Sequence, residues 1–271
     1  IVDRLVGSEM CIRDSSWAPD TYEGAPLPIT AYLSVSSKAT GFVALIVLLT
    51  KVFESSGQSW GVILAIVAGA TMTLGNLVAL QQTNPVRLLA YSSISQAGFI
   101  IAPLAVSGIT GNYQDGIFAS VTYLIIYAFM NIGAFLSVHL FTNFTKSDNF
   151  YEWGGIAKHS PLTGVLTTVF FFSLAGIPPL GGWFAKFVVF RSLLSTGEII
   201  GISLAIVGAI NAVIALVYYA RISKVIWMDE LKNPEEEKSF EFQSPLKVVG
   251  ALTVLITFVA GIFPGIFSYL G

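Results

Sequence analysis

Long runs of apolar residues alternate along this chain with short polar segments. The runs cover residues 26–50, 61–80, 88–107, 116–142, 161–196, 199–220 and 248–270, approximately. Most of them reach the ~20 residues that an α-helix needs to cross the hydrocarbon core of a bilayer. They are far longer than the ~10-residue alternating segments of a membrane β-barrel. The pattern therefore predicts an all-α, polytopic transmembrane helical bundle.

The run at 161–196 is interrupted by a Pro-Pro pair followed by a Gly-Gly pair. Proline removes a backbone donor and clashes with the preceding turn, so a helix must stop or kink there. The run is either two short spans or one long helix broken at 176–182, which gives eight membrane segments in all. A similar proline-rich stretch at 24–30 precedes the first run. We therefore predict discontinuous helices, with breaks at Pro26, Pro28, Pro178 and Pro179.

Composition adds to this picture mainly by exclusion. The chain is 54% hydrophobic and 11% charged, whereas a soluble domain carries roughly 25% charged residues. Cys11 is the single cysteine, so the chain cannot form a disulfide framework or a cysteine-ligated cluster. The sequence also lacks a glycine-rich phosphate loop, a histidine cluster and a basic patch. We expect no cofactor and no metal in this chain, and no binding of nucleic acid.

The first 16 residues differ in character from the rest of the chain. They are mixed polar and charged, and they lack the basic flank and apolar centre of a signal peptide. The stretch VGSEMCIRDS resembles a translated sequencing adapter, so we exclude 1–16 from fold reasoning as a non-native segment. The coherent membrane domain is 17–270. Since the chain also begins without methionine, we expect a fragment that lacks its N-terminal part.

Two lysines stand out as candidates for chemistry. Lys38 lies about a dozen residues into the first run, and Lys186 lies just past the Pro-Pro break. A charged residue at mid-bilayer costs roughly 2.5–3.5 kcal/mol on insertion scales and marks a functional site by default. Both lysines are therefore candidates for reversible protonation. Alternatively, Lys38 reaches the surface or pairs structurally, and Lys186 is an interfacial lysine. The apolar runs contain no acidic residue, so a charged partner would have to come from outside this chain.

Polar side chains inside the third and fourth runs are the second set of candidates. They are Tyr91, Ser92 and Gln96 in the third run, and Tyr127 and Asn131 in the fourth. Tyr127 and Asn131 are four residues apart and so share one helix face. Such groups most simply form hydrogen bonds between helices. The alternative is that they hold waters along a proton path.

Four ordered blocks carry a family resemblance: WAPDTYEGAPLPITAYLSVSSK, GNLVALQQTNPVRLLAYSSISQAGF, YAFMNIGAF and SLAGIPPLGGWFAKFVVF. Together they resemble subunit N of the proton-translocating NADH–quinone oxidoreductase (complex I), an antiporter-like membrane subunit. The resemblance covers about 17–270. It implies two inverted bundles, each with one discontinuous helix. This chain would hold the C-terminal part of that fold, with the first bundle mostly missing.

The resemblance also implies roles for individual residues. Lys38 falls on the central lysine of the first broken helix, and Lys186 on the ionisable residue of the second. The chain would be part of an enzyme only as a translocating subunit, with no redox centre of its own. NADH and quinone would be used by the complex without binding here. The implied partners are the other membrane-arm subunits and the lipid bilayer, in a bacterial plasma membrane or an equivalent energy-transducing membrane.

One position departs from the family pattern. The family commonly has a Lys-Arg pair before AYSS, but here Val86 stands in the place of the lysine and only Arg87 remains. Arg87 is most simply an interfacial anchor. The family's glutamate partner for Lys38 lies upstream of this sequence. The rival interpretations are a multisubunit cation/proton antiporter, a membrane-bound hydrogenase, a structural scaffold and a solute transporter.

Overall fold

The computed structural model describes residues 19–230, 244–263 and 265. Within that part every regular element is helical. A short helix α1 covers 19–24. The other α-helices are α2 (Leu27–Val47), α3 (Gly57–Ala79), α4 (Pro85–Thr110), α5 (Tyr113–Thr145), α6 (Ile156–His159), α7 (Pro161–Ala175), α8 (Gly181–Ser195), α9 (Ile199–Met228) and α10 (Ser244–Ile262). The N-terminal segment at 1–16 lies outside the described residues.

Five segments in the described part are long and apolar enough to cross a membrane. They are Leu27–Val52, Glu54–Ala79, Pro85–Thr110, Tyr113–Thr145 and Ile199–Met228. Pro161–Ala175 and Val248–Ile262 are apolar but shorter. The first segment includes a π-helical turn, Leu48–Val52, that continues α2. These helices confirm the prediction of an all-α integral membrane bundle.

The predicted end of the seventh segment was wrong. The apolar run that predicts this segment ends at about residue 220, but α9 continues to Met228. Ile222, Val225 and Ile226 are all at most 2% exposed, at the spacing of one helix face. Because these three apolar side chains are buried on one face, the helix continues past Arg221. The polar segment between the runs 116–142 and 161–196 also contains regular structure, namely α6 and a 3-10 turn, Phe150–Trp153.

Both predicted interruptions occur, although not every proline lies at one. Between α7 and α8 the chain leaves helical conformation from Gly176 to Leu180, a stretch that includes Pro178 and Pro179. Between α1 and α2 only Ala25 and Pro26 are non-helical. Pro28 lies inside the first turn of α2, where a missing N–H costs no intrahelical hydrogen bond. The fold therefore contains discontinuous helices.

Helices α4 and α5 form the centre of the described bundle. In their most apolar windows 78% and 67% of the residues are buried, against 22% for the first segment and 33% for the one containing α3. Glycines bring α3 close to α4, since a Cβ at Gly75 would lie 2.7 Å from the backbone nitrogen of Ser95. The polar stretch 91–96 of α4 is thus placed inside the bundle rather than on its surface.

Candidate functional site

Lys38 lies near the middle of α2, and its amine reaches across to α4. Nζ donates a hydrogen bond to the carbonyl oxygen of Ser93 at 2.6 Å and another to the hydroxyl of Ser93. The amine also lies 5.3 Å from the centroid of the Tyr127 ring, within cation–π range. The side chain is half-buried. Within the described residues no carboxylate pairs with it, so neutral groups from two other helices hold the amine.

Lys186 lies in the second turn of α8 and points back across the helix break. Its Nζ donates to the carbonyl oxygens of Leu174 at 3.1 Å and Ala175 at 2.6 Å, which end α7. The residue is only 4% exposed, and its amine lies 5.2 Å from the centroid of the Phe99 ring. The last carbonyls of a helix lack intrahelical partners and carry partial negative charge. The break therefore supplies the acceptors that this buried amine needs.

Gly176 makes this arrangement possible. Its φ of 94° lies in the left-handed region, where glycine carries no steric penalty. A Cβ at this position would lie 2.8 Å from Cδ of Lys186 and 3.3 Å from its Nζ. A side chain at residue 176 would therefore compete with the lysine for the same space.

The hydroxyl of Ser93 is the centre of the Lys38 cluster. Tyr127 on α5 donates to it at 2.9 Å, and Lys38 on α2 donates to it as well. A serine hydroxyl offers one donor and two acceptor positions. Groups from three helices thus meet at one small polar atom beside the amine.

Gln96 forms the corresponding junction near Lys186. The hydroxyl of Tyr123 donates to its Oε1, and its Nε2 donates to the Leu174 carbonyl at 3.2 Å. That carbonyl also accepts from Lys186. Since Gln96 lies three residues after Ser93 on α4, one helix carries the polar groups next to both lysines.

A buried branch leads away from this stretch towards α3 and α9. Ser92 is hydrogen-bonded to the hydroxyl of Tyr219. The neighbouring Tyr218 donates to Oδ1 of Asn76 at 2.9 Å, and Nδ2 of Asn76 donates to Oδ1 of Asn211 at 3.0 Å. Carboxamides form hydrogen bonds but do not ionise at ordinary pH. The branch therefore links α4 to α9 through Ser92 and Tyr219, and α3 to α9 through Asn76.

The five predicted polar residues do not all reach the lysines. Ser92, Gln96 and Tyr127 lie in the clusters just described. Asn131 donates to the hydroxyl of Ser34 at 2.7 Å, one turn before Lys38 on α2. Tyr91 is half-buried, and its hydroxyl makes no hydrogen bond within the described part of the chain. Tyr127 therefore lies beside Lys38, Gln96 lies beside Lys186, Ser92 lies in the buried branch, and Tyr91 lies outside all three.

Sequence reasoning missed Tyr219 and did not single out Ser93. Tyr219 was assigned to the end of a span, because the helix was expected to stop at 220. In the structure it is fully buried, more than two turns before the end of α9. The buried apolar stripe that extends α9 was the signal that would have moved Tyr219 into the bundle.

Comparisons with known proteins agree on one family. Residues 14–214 match the family model described as NADH:quinone oxidoreductase/Mrp antiporter, transmembrane. NADH-quinone oxidoreductase subunit N of Dehalococcoides mccartyi is 38% identical over 92% of this chain and 50% of its own length. NAD(P)H-quinone oxidoreductase subunit 2 of Rippkaea orientalis is 40% identical over 91% of this chain and 48% of its own length.

A solved structure gives the same relationship in three dimensions. Respiratory complex I from Thermus thermophilus with bound aureothin contains a chain similar to this one, with a TM-score of 0.73 and 26% identity. The match covers 92% of this chain and 52% of that chain. The chain therefore spans about half the length of the curated relatives that it matches.

Proposed function

We propose that this chain, which belongs to the NADH:quinone oxidoreductase/Mrp antiporter family of transmembrane proteins, moves protons within an antiporter-like subunit of an NADH–quinone oxidoreductase. Lys38 and Lys186 exchange the proton, and hydroxyl groups beside them accept and pass it on. The similarity to curated subunits of NADH–quinone oxidoreductase supports this assignment. Such a protein works in a bacterial plasma membrane or an equivalent energy-transducing membrane.

One observation carries the proposal: two amines lie inside the bundle, and in the described part of the chain neutral groups hold both of them. Within the described residues the ion pairs involve Arg87 and neither lysine. A fixed carboxylate beside an amine favours its charged form strongly. Serine hydroxyls and backbone carbonyls stabilise the charged amine less, so the proton stays exchangeable. A purely structural lysine would have been expected to end in a salt bridge or at the surface.

The proton passes from the Lys38 cluster to the Lys186 cluster along α4. The hydroxyl of Ser93 accepts the proton of Lys38 as it gives up its own to water. Water beside Gln96 then delivers a proton to Lys186, because a carboxamide and a backbone carbonyl do not carry it themselves. The step between Ser93 and Gln96 is three residues on one helix, and water bridges it. The interrupted helix next to Lys186 provides unpaired carbonyls that stabilise the charged amine on arrival.

The driving energy comes from other subunits. Moving one charge through 100 mV costs about 2.3 kcal/mol, and this chain contributes no redox centre or cofactor of its own. NADH oxidation and quinone reduction take place in neighbouring subunits of the membrane complex. A conformational or electrostatic change at the boundary with those subunits alters the proton affinity of Lys38. The remaining contacts of the chain are with lipid.

A cation/proton antiporter subunit is the second candidate, because the family model includes both classes of protein. The two assignments differ in ion dependence. An oxidoreductase subunit supports proton translocation that depends on NADH and does not require sodium. Transport that requires sodium and continues without NADH would favour the antiporter.

The test is Lys186→Ala in the full-length protein within the assembled complex. Proton translocation into membrane vesicles, driven by NADH, is measured per assembled complex. We expect a loss of more than about tenfold, the order found when a proton-transfer group is removed. Lys224→Ala is the matched control, because Lys224 is exposed on α9. Wild-type translocation by Lys186→Ala would contradict the proposal.

A further inference from the structure

Tyr123 on α5 reaches the Lys186 site by two routes. Its hydroxyl donates to Oε1 of Gln96, whose Nε2 donates to the carbonyl oxygen of Leu174 at 3.2 Å. Its ring stacks on the Phe99 ring, with the centroids 6.0 Å apart and the planes 1° apart. The amine of Lys186 lies 3.1 Å from the same Leu174 oxygen and 5.2 Å from the centroid of the same Phe99 ring. Both routes from Tyr123 therefore end at one amine.

The orientation of the Gln96 amide follows from its two neighbours. A backbone carbonyl can only accept, so the amide nitrogen must face Leu174. The amide oxygen then faces Tyr123, whose hydroxyl supplies the donor. Gln96 is 1% exposed and Tyr123 is 0% exposed. The buried amide oxygen therefore depends on the phenol for its hydrogen bond.

The protonation state of Lys186 sets how many acceptors it can use. A charged amine has three N–H groups, and a neutral amine has two. The carbonyl oxygens of Leu174 and Ala175 accept two hydrogen bonds from it. The neutral amine is thus fully paired by the described residues, whereas the third N–H of the charged form is left with the face of the Phe99 ring.

We propose that Tyr123 is a positioning residue for Lys186: its hydroxyl holds the Gln96 amide so that the amide oxygen is withheld from the lysine. This inference rests on the proposed role of Lys186 in proton transfer. Without the hydroxyl, the buried amide oxygen would lack a donor, and an unpaired buried acceptor is costly. The third N–H of the charged lysine would then be the donor at hand, because the hydroxyl of Tyr219 is already hydrogen-bonded to Ser92. Tyr123 thus keeps the charged lysine short of one acceptor, which favours release of the proton.

The titratable groups on the surrounding helices leave this pH dependence to the lysine. Helices α4, α5, α7, α9 and α10 pack against α8. Helix α7 and the described side chains of α10 contain no titratable group. The buried titratable groups of the other three helices are phenols, which ionise only near pH ~10: Tyr123, Tyr127, Tyr218 and Tyr219. The remaining titratable groups of these three helices are half-buried or exposed: Arg87, Tyr91, Tyr113, Asp115, His139, Arg221 and Lys224. Of these, His139 titrates near neutral pH, and it lies about 24 Å along α5 from Tyr123 at the helical rise per residue.

The first test is Tyr123→Phe, which removes the hydroxyl and keeps the ring that stacks on Phe99. NADH-driven proton translocation per assembled complex is measured as a function of pH. The freed amide oxygen pairs with the charged lysine, so Lys186 releases its proton at higher pH. We expect the acid limb of the pH profile to move up by about one unit, a tenfold change in proton affinity. Tyr113→Phe is the matched control, because the hydroxyl of Tyr113 at the start of α5 donates to the carbonyl oxygen of Glu54 at 3.2 Å. Its profile should stay in place.

The second test changes Gln96. Gln96→Glu carries an oxygen at either end of its carboxylate, so Lys186 gains an acceptor while Tyr123 is intact. We expect the acid limb to move in the same direction and further, because a carboxylate favours the charged amine more strongly than an amide does. Gln96→Met has no oxygen to present. In that background Tyr123→Phe should add no shift, because both changes act through the same amide.

The outcomes separate this inference from the proposed function. A merely structural hydrogen bond would lower the rate equally at every pH, or lower the amount of assembled complex, and leave the profile in place. An unmoved profile in Tyr123→Phe overturns the inference, and so does an equal shift by Tyr123→Phe in the Gln96→Met background. If Tyr123→Phe does not assemble, an unmoved profile in Gln96→Glu overturns it instead. Normal translocation by Lys186→Ala would overturn the proposed function and this inference together. Loss of translocation in Lys186→Ala, with a wild-type profile in Tyr123→Phe, would overturn this inference alone.

Discussion

The Lys38 and Lys186 clusters solve the same physical problem in different ways. Lys38 lies in a continuous stretch of α2 and depends on Ser93, a residue of another helix. Lys186 on α8 depends on the carbonyl oxygens of Leu174 and Ala175, which have no intrahelical partner because α7 ends there. The Lys38 amine is therefore sensitive to movement between helices, whereas the Lys186 amine is set by local backbone geometry. This difference is consistent with the proposed function, in which a change at the boundary with other subunits alters the proton affinity of Lys38.

The largest effect that separates the two clusters is expected from Gly176→Val. The left-handed backbone at residue 176 costs a β-branched residue about 1–2 kcal/mol, and the new side chain would displace Lys186. We expect loss of most proton translocation together with a lower thermal stability of the complex. Gly197→Val is the matched control, because Gly197 also has a positive φ of 69° but nothing lies near its Cβ position. Equal losses of translocation in both variants would show that strain alone is responsible.

Lys38→Met should have the next largest effect. Methionine keeps the apolar stem and removes the amine, so the helix packing remains while proton exchange is lost. We expect translocation to fall about tenfold or more with assembly unchanged. The measurement is NADH-driven acidification of membrane vesicles, normalised to assembled complex. Lys51→Met, at an exposed position just beyond α2, should behave as wild type. A normal rate in Lys38→Met would show that the Lys38 amine takes no part in proton translocation.

Ser93→Ala is expected to have an intermediate effect. It removes the shared hydroxyl but keeps the carbonyl oxygen that accepts from Lys38 at 2.6 Å. The variant loses the hydrogen bonds of the hydroxyl to both Lys38 and Tyr127. We expect a two- to fivefold lower rate, which corresponds to about 0.5–1 kcal/mol for the bond to Lys38. Ser107→Ala is the control on the same helix, since that hydroxyl donates only to the Pro103 carbonyl of α4 itself. If the two variants have equal rates, Ser93 is not a relay.

The smallest effect should come from Tyr91→Phe. The hydroxyl of Tyr91 makes no hydrogen bond within the described residues, so its removal should leave translocation within about 20% of wild type. Tyr127→Phe is the informative partner, because it removes the 2.9 Å hydrogen bond to Ser93. A strong defect in Tyr91→Phe would mean that the proton route runs along a different face of α4.

The sequence alone determined the class of fold, both interruptions and the positions of the spans, except for the end of α9. This is because membrane insertion requires long apolar runs and proline cannot donate within a helix, and both constraints are local. It also singled out Lys38 and Lys186, since a lysine within an apolar run is conspicuous. The tertiary structure decided their partners. The rotation of each helix about its axis places Ser93, Gln96 and Tyr219 inside the bundle and leaves Tyr91 half-buried. That rotation depends on close packing at small residues such as Gly75. Hydropathy along the chain cannot encode that rotation, because the polar stretch 91–96 covers every face of α4.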